Sequence, residues 1–203
     1  MQDILINEVK AFVRSRLSES RWQHTLGVAE TSAWLSDIVI PDKKTDVIIA
    51  ALFHDVAKEL TSDEQHRLIS ELGVAVLPEE LQTEAALHCF AAVALIKRDF
   101  PHLANPEILS AVHRHTLGAG DMSVFDKIVY IADYIEPGRT NSACRTTARI
   151  LEEEISRATT FDDASRAIDR AILLSLDNTA KYLAARGLPV NPIATEMRKS
   201  LIT

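Results

Sequence analysis

Basic residues are in the minority: 22 Lys and Arg face 29 Asp and Glu, a formal net charge of −7. That excludes the basic excess of a general nucleic-acid binder. The chain has two cysteines, Cys89 and Cys144, outside any paired spacing, so neither a disulfide framework nor a thiolate metal pair is expected. Cys89 reads as a small buried hydrophobe. Six glycines are too few for a sheet built on tight turns, and none forms GxGxxG or GxxxxGK, so a glycine-rich phosphate loop is excluded. Wholly apolar runs, 47–53 among them, reach at most eight residues against the ~18 of a membrane span. Met1-Gln2-Asp3-Ile4 carries no basic n-region, so no signal peptide is visible. The expectation is a soluble cytoplasmic protein with no nucleic-acid or membrane partner.

What remains is a chain of 203 residues, 47% hydrophobic and 25% charged, sized for one domain, 1–203, that buries ~70% of its extended surface. Helical periods dominate. Ile4, Leu5, Val9, Phe12, Val13 and Leu17 trace a first amphipathic helix. Thr61-Ser62-Asp63-Glu64 reads as a capping-box start, and Asn105-Pro106-Glu107 as a cap with a first-position proline. A further helix opens at Ser123 and stops at Pro137-Gly138, and three more are expected at 142–158, 161–184 and 192–202. The fold class is all-α, a bundle of eight to ten helices.

Three helical stretches, 22–38, 46–60 and 127–136, are apolar nearly all the way round and therefore belong in the interior. They carry His24, the dipeptide His54-Asp55, and Asp133. An ionised carboxylate buried without a partner costs at least several kcal/mol, so Asp55 and Asp133 require compensation. One cation shared with His24 and His54 supplies it, in a His2Asp2 shell suited to iron, manganese or zinc, with cobalt also admissible. Such a shell leaves positions open for water and substrate. His88 and His115 read either as second-metal ligands or phosphate contacts, or as core and capping histidines, so one ion or two remains open. His66 and His102 read as surface residues, and His113 faces away from His115. Arg21, Lys58 and Arg139 flank the proposed ligands, a trio suited to substrate phosphates.

The order His24, His54-Asp55, Asp133, with His88 and His115 between, resembles the signature of the HD-domain metal-dependent phosphohydrolases. The stretches RWQHTLGVAETSAWL (21–35), AALFHDVAKEL (50–60), HRHTLG (113–118) and DKIVYIADYIEPGR (126–139) are similar to the YqeK family of bacterial symmetrical bis(5′-nucleosyl)-tetraphosphatases. The resemblance covers roughly residues 9–181. It implies an HD fold with an iron-type ion at His24, His54, Asp55 and Asp133. It also implies a nucleotide site in which Arg21, Lys58, His88, His115, Thr116 and Arg139, beside the carboxylates of Asp55 and Asp133, meet the phosphates. Asp177, Asn178 and Lys181, in LSLDNTAK (174–181), would lie along the nucleoside.

The implied reaction splits diadenosine tetraphosphate between its middle phosphates into two ADP. Asp55 or Asp133 would orient the attacking water, and His88 or His115 would stabilise the leaving diphosphate. Lys58 and Arg139 would neutralise phosphoryl oxygens. The expected partners are a dinucleoside polyphosphate and its ADP-type product, with a homodimer left open. In the family, a small residue and a proline follow the third histidine. Here Cys89-Phe90 follow His88, which leaves the helix unbroken and puts the placement of His88 in question. Rival readings are another HD-type nucleotide phosphohydrolase, a nucleotide sensor without turnover, and a helical scaffold whose histidines only pack.

Overall fold

The computed structural model describes residues 2–202; Met1 and Thr203, the ends of the expected domain, lie outside the described residues. The helices are α1 (Gln2–Arg14), α2 (Glu19–Val39), α3 (Lys44–Phe53), α4 (Ser62–Glu71), α5 (Pro78–Leu81), α6 (Leu87–Asp99), α7 (Pro106–Arg114), α8 (Val124–Ile135), α9 (Ser142–Ile155), α10 (Phe161–Ala184) and α11 (Pro192–Ser200). Among the described residues no strand occurs. Among the described residues the eleven helices exceed the eight to ten expected, in part because Pro78 opens the single turn of α5.

Local chemistry sets the starts. Glu64 Oε2 accepts from the Thr61 N–H at 2.8 Å while Thr61 Oγ1 accepts from the Glu64 N–H at 3.3 Å, the reciprocal box read from sequence. Asn105 Oδ1 accepts from the Ile108 N–H at 2.9 Å, with Pro106 at the first position of α7. Thr160 and Asp163 cap α10 in the same reciprocal way. Exchanging Thr160 for alanine should therefore lower stability by about 1 kcal/mol, read as a shift of the urea midpoint at constant slope.

The apolar run is the centre of the molecule. Val47 and Ile49 to Phe53 are fully buried in α3, which packs on α1, α2, α7 and α8. At its C-terminal end Phe53 meets Phe12 and Phe100 edge-on, with centroids 6.3 and 5.3 Å away, which fixes the point where the chain leaves the helix. Among the described residues no helix is long and apolar enough to cross a membrane.

The interior helix does not run from 46 to 60 as expected; it ends at Phe53. The His54 Nδ1–H donates to the Ala51 carbonyl at 2.6 Å, the acceptor that the Asp55 N–H would need to continue an α-helix. Beyond it the backbone closes three-residue turns, Val56 N–H to Phe53 O at 3.0 Å and Lys58 N–H to Asp55 O at 2.9 Å. His54 and Asp55 thus leave the helix and turn into the interior, both buried. Smaller corrections are that α9 ends at Ile155 and α11 at Ser200, short of 158 and 202.

Candidate metal centre

Three histidines reach one interior point from three elements, each with its proton pinned on the far nitrogen. His54 Nδ1 donates to Ala51 O, and His115, at the C-terminal cap of α7, donates from Nδ1 to Val112 O at 2.8 Å. His24, on α2, gives its Nδ1–H to Glu136 Oε1 at 3.1 Å. A carbonyl or carboxylate only accepts, so in the neutral ring each Nε2 is left with a bare lone pair. His115 therefore both caps its helix and faces the cluster, uniting the two readings left open for it.

Asp55 lies at the centre. Its Oδ2 is 3.5 Å from His54 Nε2 and 3.8 Å from His24 Nε2; its Oδ1 is 3.1 Å from His88 Nε2 and 3.7 Å from His115 Nε2. Asp133 Oδ1, from α8, is 3.1 Å from His24 Nε2. The Nε2 atoms of His24 and His54 are buried without a hydrogen-bond partner. Lone pairs on nitrogen set against carboxylate oxygens at this range repel unless positive charge lies among them. The donor set of His24, His54, Asp55 and Asp133 fits a divalent cation on that ground.

Burial pushes the Asp55 carboxyl up, but with no cation present protonation of the facing imidazoles, His54 first and then His115 and His88, outweighs it and holds it well below the carboxylate range. For Asp133, burial also raises the pKa, and His24, His54 and Arg139 together lower it below the usual value. Both carboxyls are therefore ionised at neutral pH.

Basic groups border the centre. Arg21 Nη1 donates to Asp55 Oδ2 at 2.8 Å, and Arg139 Nε to the Asp133 carbonyl at 2.9 Å, with its Nη2 on the Asp133 carboxylate. Lys58 Nζ lies 3.2 Å from His88 Nε2 and 3.9 Å from Asp55 Oδ1. Arg21, His24, Glu136 and Arg139 line a cleft of about 800 Å³. At the Thr116 end of the cluster a second cavity of about 400 Å³ is walled by Leu117, Tyr130, Leu176 and Asp177.

The structure thus brings together Arg21, His24, His54, Asp55, Lys58, His88, His115, Thr116, Asp133 and Arg139. It keeps His88 in the cluster although α6 runs unbroken through Cys89-Phe90. The late segment joins it less directly: Asp177 accepts from Arg198 Nε at 2.8 Å, Asn178 bonds to Tyr134, and Lys181 is exposed. His113, expected to turn from His115, meets Glu80 at 2.7 Å.

A profile of the HD domain matches residues 21–138, from Arg21 through all four candidate ligands to Gly138. The chain belongs to the HD-domain family. Among curated relatives, a symmetrical bis(5′-nucleosyl)-tetraphosphatase of Bacillus subtilis is 29% identical over 187 residues, covering 91% of each chain. One of the same name from Halalkalibacterium halodurans is 30% identical over 184 residues, 89% of this chain and 88% of the relative. Among solved structures, a "predicted HD superfamily hydrolase involved in NAD metabolism" from Clostridium acetobutylicum superposes with a TM-score of 0.79 at 30% identity, covering 97% of this chain and 96% of that one.

Two residues of this HD-domain site escape sequence reasoning. Glu136 is buried, takes the His24 proton donor and the Gly138 N–H at 2.5 Å, and lies against Gly27, where a Cβ would meet its Oε2 at 2.5 Å. Its signal is a glycine in mid-helix with no turn to explain it. The other is Cys89, which is buried as expected but among polar groups: His88 Nε2 at 3.6 Å, His115 Nε2 at 3.9 Å and Thr116 Oγ1 at 3.2 Å. No thiolate pair was expected, and the two cysteines form none; what the sequence did not show is that Cys89 converges with His88 and His115 closely enough to share an ion.

Proposed function

We propose that this HD-domain chain is a divalent-metal-dependent hydrolase that cleaves dinucleoside tetraphosphates symmetrically, diadenosine tetraphosphate and water giving two ADP. The observation that carries the chemistry is Asp55, whose two oxygens each face two imidazole nitrogens. The names of the relatives supply the substrate class. His24, His54, Asp55 and Asp133 hold the first cation, with iron as the preferred metal and manganese, cobalt or zinc as substitutes. His88 and His115, on the Oδ1 side of Asp55, hold a second. When bound, a divalent cation polarises a phosphoryl oxygen and makes water acidic enough to ionise near neutrality.

The chain's own residues do the rest. Asp55 and Asp133, ionised at neutral pH, orient the attacking water as hydrogen-bond acceptors. Arg21 and Arg139, in the wall of the larger cleft, grip phosphoryl oxygens with two-pronged contacts. Lys58 adds a point charge over the same chain of phosphates. A nucleoside diphosphate leaves as a stable anion, so charge neutralisation rather than proton donation is what these side chains contribute. The cavities at the two ends of the cluster suit a substrate whose nucleosides flank its reacting phosphates. The reading takes 1–203 as a single domain, acting in the cytoplasm.

The test is product analysis on diadenosine tetraphosphate with the iron-, manganese- or cobalt-loaded protein. ADP as the sole nucleotide product is expected. ATP with AMP contradicts the symmetrical cut, and tight ADP binding without product under all three metals points to a sensor.

A further inference from the structure

We propose that Cys89 is a sulfur ligand of the second cation position, so that His88, His115, Cys89 and Asp55 form a mixed nitrogen, sulfur and oxygen set. This rests on the reading of His88 and His115 given above and adds a residue to it. A buried cysteine ordinarily packs among apolar atoms. Cys89 Sγ instead lies 3.6 Å from His88 Nε2 and 3.9 Å from His115 Nε2, and those nitrogens are 3.1 Å apart. Around a tetrahedral ion with M–N near 2.0–2.1 Å and M–S near 2.3 Å, nitrogen and sulfur donors stand ~3.6 Å apart and two nitrogens ~3.3 Å. The observed triangle has those proportions before any adjustment.

Independent observations point to a ligand rather than to packing. His115 Nδ1 is committed to Val112 O, so its Nε2 turns a lone pair on His88 Nε2, Cys89 Sγ and Asp55 Oδ1 together. All three side chains of the triangle are at most 3% exposed, so bulk water does not compete for the position. The first position draws only on His24, His54, Asp55 and Asp133, with nitrogen and oxygen donors. Sulfur therefore makes the two positions chemically unequal, and the second favours zinc, iron(II) or cobalt over manganese or magnesium. On binding, the thiol proton passes to solvent and the thiolate completes the set.

The experiment is an anaerobic cobalt(II) titration of the metal-free full-length protein, followed by absorption and by metal analysis. The expected result is two ions per chain, one of them accompanied by near-ultraviolet thiolate-to-cobalt charge transfer. That band persists in Cys144→Ala and in Asp133→Ala, and disappears in Cys89→Ala, which also binds one equivalent at least about tenfold more weakly. Circular dichroism confirms that each variant is folded. Two ions per chain without the band, or a band that survives Cys89→Ala, overturns the sulfur ligand and leaves the two-ion reading standing. One ion per chain, with no band, overturns the second position and the sulfur ligand with it.

Discussion

Replacing Asp55 with alanine is expected to remove bound metal and to lower tetraphosphate hydrolysis by about 1,000-fold or more, the several kcal/mol that a Lewis acid supplies. No other carboxylate of the cluster faces both pairs of histidines: Oδ2 lies toward His24 and His54, Oδ1 toward His88 and His115. Deleting it uncouples both positions at once, which substitution of Asp133 does not. Asp55→Asn keeps the volume but exchanges an anionic oxygen for an amide, so it should lose metal almost as completely while keeping its far-ultraviolet dichroism. That variant separates a lost site from a lost fold, since Arg21 also depends on this carboxylate. Stoichiometric metal and undiminished turnover in Asp55→Asn contradict the assignment.

Removing the Glu136 carboxylate, which touches no candidate ligand atom directly, should weaken metal binding by about 10- to 100-fold. It fixes the His24 ring through Nδ1 and keeps the lone pair on Nε2 directed at Asp133 and Asp55. Gly27→Ala should act on the same carboxylate from the other side. An alanine inside an exposed helix gains up to about 1 kcal/mol over glycine. At Gly27 the added carbon instead meets Glu136 Oε2 at 2.5 Å, and Gly138 confines that oxygen at 2.8 Å from its own notional Cβ. The carboxylate must move, and His24 with it. The double variant Glu136→Ala/Gly27→Ala should therefore bind metal no more weakly than Glu136→Ala, a non-additive pair. Isothermal titration of the metal-free proteins reads all three affinities; fully additive losses contradict the shared route.

The interior position of His54 and Asp55 was legible because their neighbours are apolar on every side, a signal that survives without knowledge of the packing; His24 and Asp133, expected beside them, are only half-buried. Less legible was how His54 and Asp55 come to aim inward. The helix stops at Phe53 because a side chain takes the Ala51 carbonyl, a competition between ring and backbone that hydrophobic periodicity does not register. Glu136 was hidden by its place beside Pro137-Gly138, where an acidic residue reads as a solvated helix end. Cys89 was hidden by adjacency, since neighbours on a helix point ~100° apart and the convergence with His88 depends on His115 arriving from another helix. For Asp177 the limit was different: sequence similarity does not reveal that Arg198, 21 residues later, pairs with it.

Anomalous diffraction from crystals of the manganese-loaded protein shows most directly whether the side chains of His24, His54, Asp55 and Asp133 share one ion. A peak is expected within ~2.0–2.3 Å of His24 Nε2, His54 Nε2 and carboxylate oxygens of Asp55 and Asp133. A fully loaded protein whose anomalous peak lies elsewhere, with these four side chains coordinating nothing, contradicts the shared ion.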